Sequence, residues 1–88
     1  MMEIYKDGFV FRKSKRKNKK YDVFKNNEFI TSFGGIKESG EPYQQYRDKI
    51  GVYSNYDHND KKRRDRYYLR HGNAVKNSAK WFSHRFLW

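Results

Sequence analysis

YQQYRDKIGVYSNYDHNDKKRRDRYYLRH, residues 43–71, is the stretch on which the reading of this chain turns. It carries six of the eight tyrosines, two of the three histidines and one of two dense clusters of positive charge. Its punctuation suggests two helices. The first is expected over residues 42–50. Pro42 suits a first helical position because its missing N–H would have had no partner there, and Gly51 supplies a left-handed stop. Tyr43, Tyr46 and Ile50 recur at i, i+3, i+7, which predicts a buried face with Gln44, Gln45, Asp48 and Lys49 turned outward.

The second helix is expected from Asp57, whose carboxylate can accept from first-turn N–H groups, to His71, with Gly72 as the cap. Asp60 adds negative charge at the positive end of the helix dipole. Between them stand Lys61, Lys62, Arg63, Arg64, Arg66 and Arg70, opposed only by Asp65. At about 3.6 residues per turn these cations cannot share one face, so the helix is basic nearly all round except at Tyr67, Tyr68 and Leu69. Such a helix is poorly buried by its own domain and gains most from a polyanion lying beside it.

Working outward, the first forty residues read as strands. Asp7-Gly8 can close a hairpin between residues 3–6 and Phe9-Val10-Phe11, and Asn26-Asn27 can close a second between residues 21–25 and 28–33, since asparagine tolerates positive φ. Alternation sets Tyr21 and Val23 against Asp22 and Phe24 without deciding which face is buried. Residues 34–41, GGIKESGE, read as the loop from sheet to helices. Towards the C-terminus Ser78 can cap a last turn or two holding Trp81, Phe82, Arg85, Phe86 and Trp88, with Leu87-Trp88 as a plug for the core. The expected class is α+β: an N-terminal antiparallel β-hairpin or three-stranded meander, two short helices, and an aromatic C-terminal segment packed back on the sheet.

A chain of 88 residues makes one domain able to bury roughly 60% of its unfolded surface. Large aliphatics are few and aromatics number seventeen, so the core must draw its area from rings. There is no cysteine for a disulfide or a thiolate zinc site. Neither a signal-length apolar run near Met1 nor a membrane-length one elsewhere is present, so the expected setting is a cell interior, with no membrane partner.

The net charge of +11 is unevenly placed. Arg12, Lys13, Lys15, Arg16, Lys17, Lys19 and Lys20 contribute +7, residues 61–71 contribute +5, and the remainder sums to −1. The first run is expected to form an exposed loop or solvated strand ends. Two basic segments on a nearly neutral scaffold repel one another, and a phosphate backbone would relieve that repulsion. These thirteen cations are the candidate nucleic-acid contacts.

The runs SKRKNKKYDV, SFGG, YQQYRDKIGVYS, YDHNDKKRRDRYYLRHG and FSHRFLW resemble a family of small basic proteins encoded by nucleocytoplasmic large DNA viruses, the giant viruses of protists and algae. The resemblance spans roughly residues 14–88 and is most specific in Asp-His-x-Asp-x-x-Arg-Arg followed by Arg-His-Gly. It brings no reaction with it. It implies a viral product made in the host cell and found either in the virion or in the host cell interior, cytoplasm or nucleus.

Asp57-His58-Asn59-Asp60, with His71 and His84, is the one cluster suited to a metal or to acid–base work. An Asp-His pair resembles the start of an HNH nuclease motif, but that motif lies on a strand and loop, with a later asparagine and histidine that Asn73 or Asn77 and His84 match only loosely. Helix capping and pairing with the nearby arginines is the simpler role. No cofactor, metal or catalytic residue is expected. Tyr53, Tyr56, Tyr67 and Tyr68 could stack on unpaired bases, although the core has the stronger claim on them. The favoured function is sequence-tolerant binding to the nucleic-acid backbone, DNA before RNA, in viral genome compaction or packaging. A structural or interaction component of a virion, self-associating or bound to an acidic protein, stands second. A divalent-metal-dependent nuclease stands third.

Overall fold

A computed structural model describes residues 3–88; Met1 and Met2, where the segment read as free of a signal run begins, lie outside the described residues. Four strands, β1 (Ile4–Lys6), β2 (Phe9–Lys13), β3 (Lys19–Lys25) and β4 (Glu28–Gly35), form an antiparallel meander in chain order. Two helices follow, α1 (Lys61–His71) and α2 (Ala79–Phe86). The fold is therefore α+β, and the expected hairpin or three-stranded meander is a four-stranded one because both hairpins join one sheet. Both hairpin turns form where expected, with Asp7 and Gly8 at φ 55° and 84° and Asn26 and Asn27 at φ 52° and 65°. That pair of positive φ angles matches the right-handed twist of the flanking strands.

The buried face of the sheet is the one bearing Phe11, Tyr21, Val23 and Phe33, all fully buried. Helix α2 lies across it. Ser78 caps that helix as expected, its Oγ accepting from Trp81 N at 3.2 Å, and Phe82 and Phe86 point inward. Phe86 meets Phe11 edge-on at 4.8 Å, and Phe82 meets Phe9 at 5.0 Å and stacks on Phe33 at 5.6 Å. Aromatic pairing thus supplies the area that scarce aliphatics do not. Leu87 is buried in this core and Trp88 half-buried at its edge.

On the other face Arg12 lies 4.5 Å over the Phe24 ring and is paired with Glu3. Asp22 is buried there under the turn between β2 and β3, accepting from the hydroxyls of Ser14 and Ser32, each at 2.6 Å, and from Lys15 N. Burial works to raise the Asp22 pKa, yet these hydrogen bonds and the Arg16 charge hold it below the usual range. The first basic run accordingly forms the expected strand ends and an exposed turn between them, and that turn is folded over a carboxylate.

The helix expected over residues 42–50 does not form. Residues 36–60 are irregular apart from a 3-10 turn at Ser54–Tyr56. Ile50 is buried and Gln44 and Lys49 are exposed as the helical reading expects, but three positions are reversed: Tyr43 is half exposed, while Gln45 and Asp48 are buried. Asp48 explains this. Its Oδ1 accepts from Ile50 N at 2.9 Å and Gly51 N at 3.1 Å, and its Oδ2 from Tyr53 N at 2.8 Å and the Tyr21 hydroxyl at 2.5 Å. An aspartate that binds its own downstream backbone competes with the helix, and here it replaces it. Burial and this bond push the Tyr21 phenol far above its ordinary pKa.

Asp57 is not the α1 cap. Its Oδ1 accepts from Gln45 Nε2 at 2.6 Å and Asp48 N at 2.8 Å, which staples the two halves of the loop. The cap is Asp60, accepting from Lys62 N and Arg63 N, so α1 begins four residues later than expected. The loop also satisfies the end of α2, as Lys49 N and Arg47 N donate to Phe86 O and Leu87 O at 2.9 and 3.0 Å. Helix ends leave such carbonyls unpaired, and a segment without regular structure has donors to spare. Among the described residues no helix is long and apolar enough to cross a membrane.

Candidate nucleic-acid interface

Helix α1 is anchored by few contacts and offers the rest of its surface to solvent. The Tyr67 ring stacks on Trp88 at 4.2 Å and an interplanar angle of 5°. Tyr68 donates to His84 O at 3.0 Å, and His84 lies 2.9 Å from the Tyr67 hydroxyl through Nδ1 and 2.8 Å from Gly72 O through Nε2. A carbonyl needs a donor, so Nε2 carries the proton and Nδ1 accepts from the tyrosine. Burial raises the Tyr67 phenol to about 12. Arg64 is a strut as well: its Nε donates to Trp88 O at 2.6 Å, and its guanidinium lies 5.3 and 5.1 Å over Tyr46 and Tyr68. Tyr53 and Tyr67 are buried and Tyr56 and Tyr68 half-buried, so these tyrosines serve the fold first, as their sequence context suggests.

Lys61, Lys62, Arg63, Arg66 and Arg70 remain, and among the described residues none of them is in a salt bridge. Of the ten carboxylates, eight are engaged elsewhere, the exceptions being Glu28 and Asp65. Asp22, Asp48, Asp57 and Asp60 accept from backbone N–H groups, and Glu3, Asp7, Glu38 and Glu41 pair with Arg12, Arg85, Lys17 and Lys37. Fold construction consumes most of the acids and leaves Asp65 as the one carboxylate within α1 to oppose its cations.

Three adjoining depressions share walls along this side. Arg63, Arg66, Leu69, Arg70 and Trp88 line the first. Lys37, Glu41, Tyr43, Gln44, Tyr56 and Arg63 line the second. The third includes Lys19, Tyr43, Gln44, His71, Lys80 and Trp88. The shared residues Tyr43, Gln44, Arg63 and Trp88 therefore join Lys19 of the first basic run to the arginines of the second, and Arg63 Nη1 donates to Gln44 Oε1 at 2.9 Å across the seam. Lys80 Nζ donates to His71 O at 3.1 Å and extends the charge onto α2. Sequence reasoning misses Tyr43, Gln44, Lys37 and Lys80. Only the irregular path of the loop brings them here, and no spacing encodes it.

The first run is divided. Lys19 reaches this side, while Arg12 lies on the outer sheet face with Glu3 and Phe24. Lys13 Nζ is 5.9 Å from the Tyr53 ring, Lys15 and Arg16 sit on the exposed turn, and Lys17 is 3.4 Å from Glu38. Lys20 corrects the expectation outright. It is buried, and its ammonium donates to Tyr43 O at 2.6 Å and Gln45 Oε1 at 2.5 Å. A Cβ at Gly34, whose φ is +81°, would stand 2.8 Å from Lys20 Cβ, so glycine is what lets the lysine stem lie against β4.

Burial lowers the Lys20 pKa to about 8 against the pull of Asp48 and Asp57. Its folded pKa lies below its unfolded one, so the unfolded chain holds more protons between them and stability rises with pH in that window. Above about 10 the raised Tyr21 phenol acts in the opposite sense, since the unfolded phenol ionises first. The Lys20 contribution to stability should thus gain about 2 kcal/mol between pH 8 and 10, read as the difference between the native protein and Lys20→Met. Urea unfolding across that range should show the gain in the native protein and not in Lys20→Met; parallel curves would place the ammonium in water.

Asp57 and His58 are not assembled with a third ligand: among the described residues no group of three His, Cys, Asp or Glu side chains is gathered. His58 Nδ1 accepts from Asp60 N at 2.9 Å, and its ring lies 5.2 Å from Trp88. Burial lowers its pKa, with Arg63 acting in the same direction. No protein-family model matches this chain, and no curated protein or solved structure matches it either.

Proposed function

We propose that this protein binds nucleic acid, DNA before RNA, holding phosphates along the side formed by α1, the Tyr43–Gln44 segment and Lys19. The observation that carries this reading is the run of three wall-sharing depressions bearing Lys19, Arg63, Arg66, Arg70 and Lys80, with Glu41 the sole carboxylate among their linings. A contact made through these cations to phosphates is sequence-tolerant and strongly salt-dependent. Compaction or packaging of a viral genome, in a virion or inside the host cell, is the setting this activity suits.

Titration of the nucleic-acid-free protein against labelled duplex and single-stranded DNA across a salt series, with and without magnesium, tests it. Micromolar binding that weakens steeply with salt is expected, with the strands left intact. No binding at low salt would overturn the proposal, and cleavage under magnesium would favour the nuclease. A second reading, a self-associating structural component, draws on Leu69, which is 85% exposed beside Trp88. Defined oligomers in sedimentation without nucleic acid would favour it.

A further inference from the structure

The third depression is a different kind of site from its neighbours. Its volume of about 610 Å³, like the 410 and 590 Å³ of its neighbours, falls inside the range of about 300–1,000 Å³ usual for small-molecule sites, and its lining is what differs. Phe33 and Leu87, both buried, contribute apolar floor, and Tyr43, Tyr67 and Trp88 are its aromatic walls. The β4 wall is bare backbone at Gly34-Gly35. A Cβ at Gly35 would stand 2.9 Å from Tyr43 Cδ2, so the missing side chain lets the Tyr43 ring seat directly on the strand. Tyr43 nevertheless remains 53% exposed.

The polar groups around this apolar body are cationic or neutral. Lys19, Lys80 and His71 contribute to its lining, and no carboxylate does. Lys20 lies among the lining residues, but it is buried and its ammonium is taken up by Tyr43 O and Gln45 Oε1. Aromatic walls at Tyr43 and at Trp88, one face of which is already stacked on Tyr67, with cations around them suit a planar aromatic ring joined to phosphate. A paired base inside a duplex cannot enter such a recess without leaving its stack.

We infer that this cleft receives one unpaired base of a single strand between Tyr43 and Trp88, with the adjoining phosphates held by Lys19 and Lys80. The inference rests on the nucleic-acid reading above and adds to it a preference for unpaired nucleotides.

The test compares a labelled single strand with an abasic strand of equal phosphate count at one salt concentration, using the whole chain. The native protein should bind the base-bearing strand about 10-fold or more tighter. Tyr43→Ala should bring the two strands close to parity while leaving the salt slope unchanged, because Tyr43 carries no charge and accepts the Lys20 bond through its main chain. Arg63→Ala with Arg66→Ala and Arg70→Ala should instead weaken both strands alike. Trp81 packs against Phe9 and Arg85 outside the cleft, so a Trp81→Phe background leaves Trp88 as the reporter, quenched by the base-bearing strand alone. Equal, salt-dependent affinity of the native protein for both strands would overturn the cleft and leave backbone binding standing. A base preference that survives Tyr43→Ala without Trp88 quenching would overturn it too. Binding to neither strand would remove both readings together.

Discussion

Replacing Asp48 with alanine should destabilise the protein by about 4 kcal/mol, because one side chain satisfies four donors: three main-chain N–H groups and the Tyr21 hydroxyl. Each buried donor left without a partner costs about 1–3 kcal/mol, offset in part where water can enter. For a domain of this size that loss corresponds to a fall in Tm of roughly 15–30 °C. Asp48→Asn keeps one acceptor oxygen and should fall between the two. The consequence reaches the interface, since Tyr43, Gln44 and the Asp60 cap of α1 belong to the loop that Asp48 organises. Thermal melts of the two variants decide it. A fall under about 1 kcal/mol for alanine would mean that the loop is held by its other bonds.

Removing Arg63, Arg66 and Arg70 together should lower DNA affinity on the order of 100-fold near 0.1 M salt and reduce the slope of log affinity against log salt by about 3, one for each phosphate no longer neutralised. The fold should survive, since exposed substitutions cost under about 0.5 kcal/mol each. Arg64 stays in place in this variant. Its bond to Trp88 O and its position over Tyr46 and Tyr68 make it part of the attachment of α1, so Arg64→Ala should loosen the helix rather than simply remove a charge. An unchanged slope in the triple variant would locate the phosphates elsewhere, with the exposed turn bearing Lys15 and Arg16 as the next surface to alter.

Local chemistry is enough for much of the fold. Asp7-Gly8 and Asn26-Asn27 can take positive φ at little cost, and the hairpins form where those residues stand. Ser78 can bind a first-turn N–H from its own position, and α2 starts after it. The cations of residues 61–70 belong on a helix because Gly72 and the absence of breakers leave little else for that run to do. These features depend on neighbours within about four residues, which a sequence displays directly.

Residues 42–50 mark the limit of that reasoning. Tyr43, Tyr46 and Ile50 at helical spacing are a true pattern with a false consequence, because Asp48 binds the N–H groups just downstream of it while Asp48 and Gln45 also find Tyr21 and Lys20, far away along the chain. A buried polar side chain gains when distant donors converge on it, and no periodicity announces that convergence. The same long-range bonds draw Lys20 inside, leave Lys19 out, and lay Tyr43 and Gln44 between the two basic segments. Composition established that the chain is strongly basic and aromatic. Which cations share a side, and which aromatic ring stands open to a partner, follows from hydrogen bonds that exist only once the chain has folded.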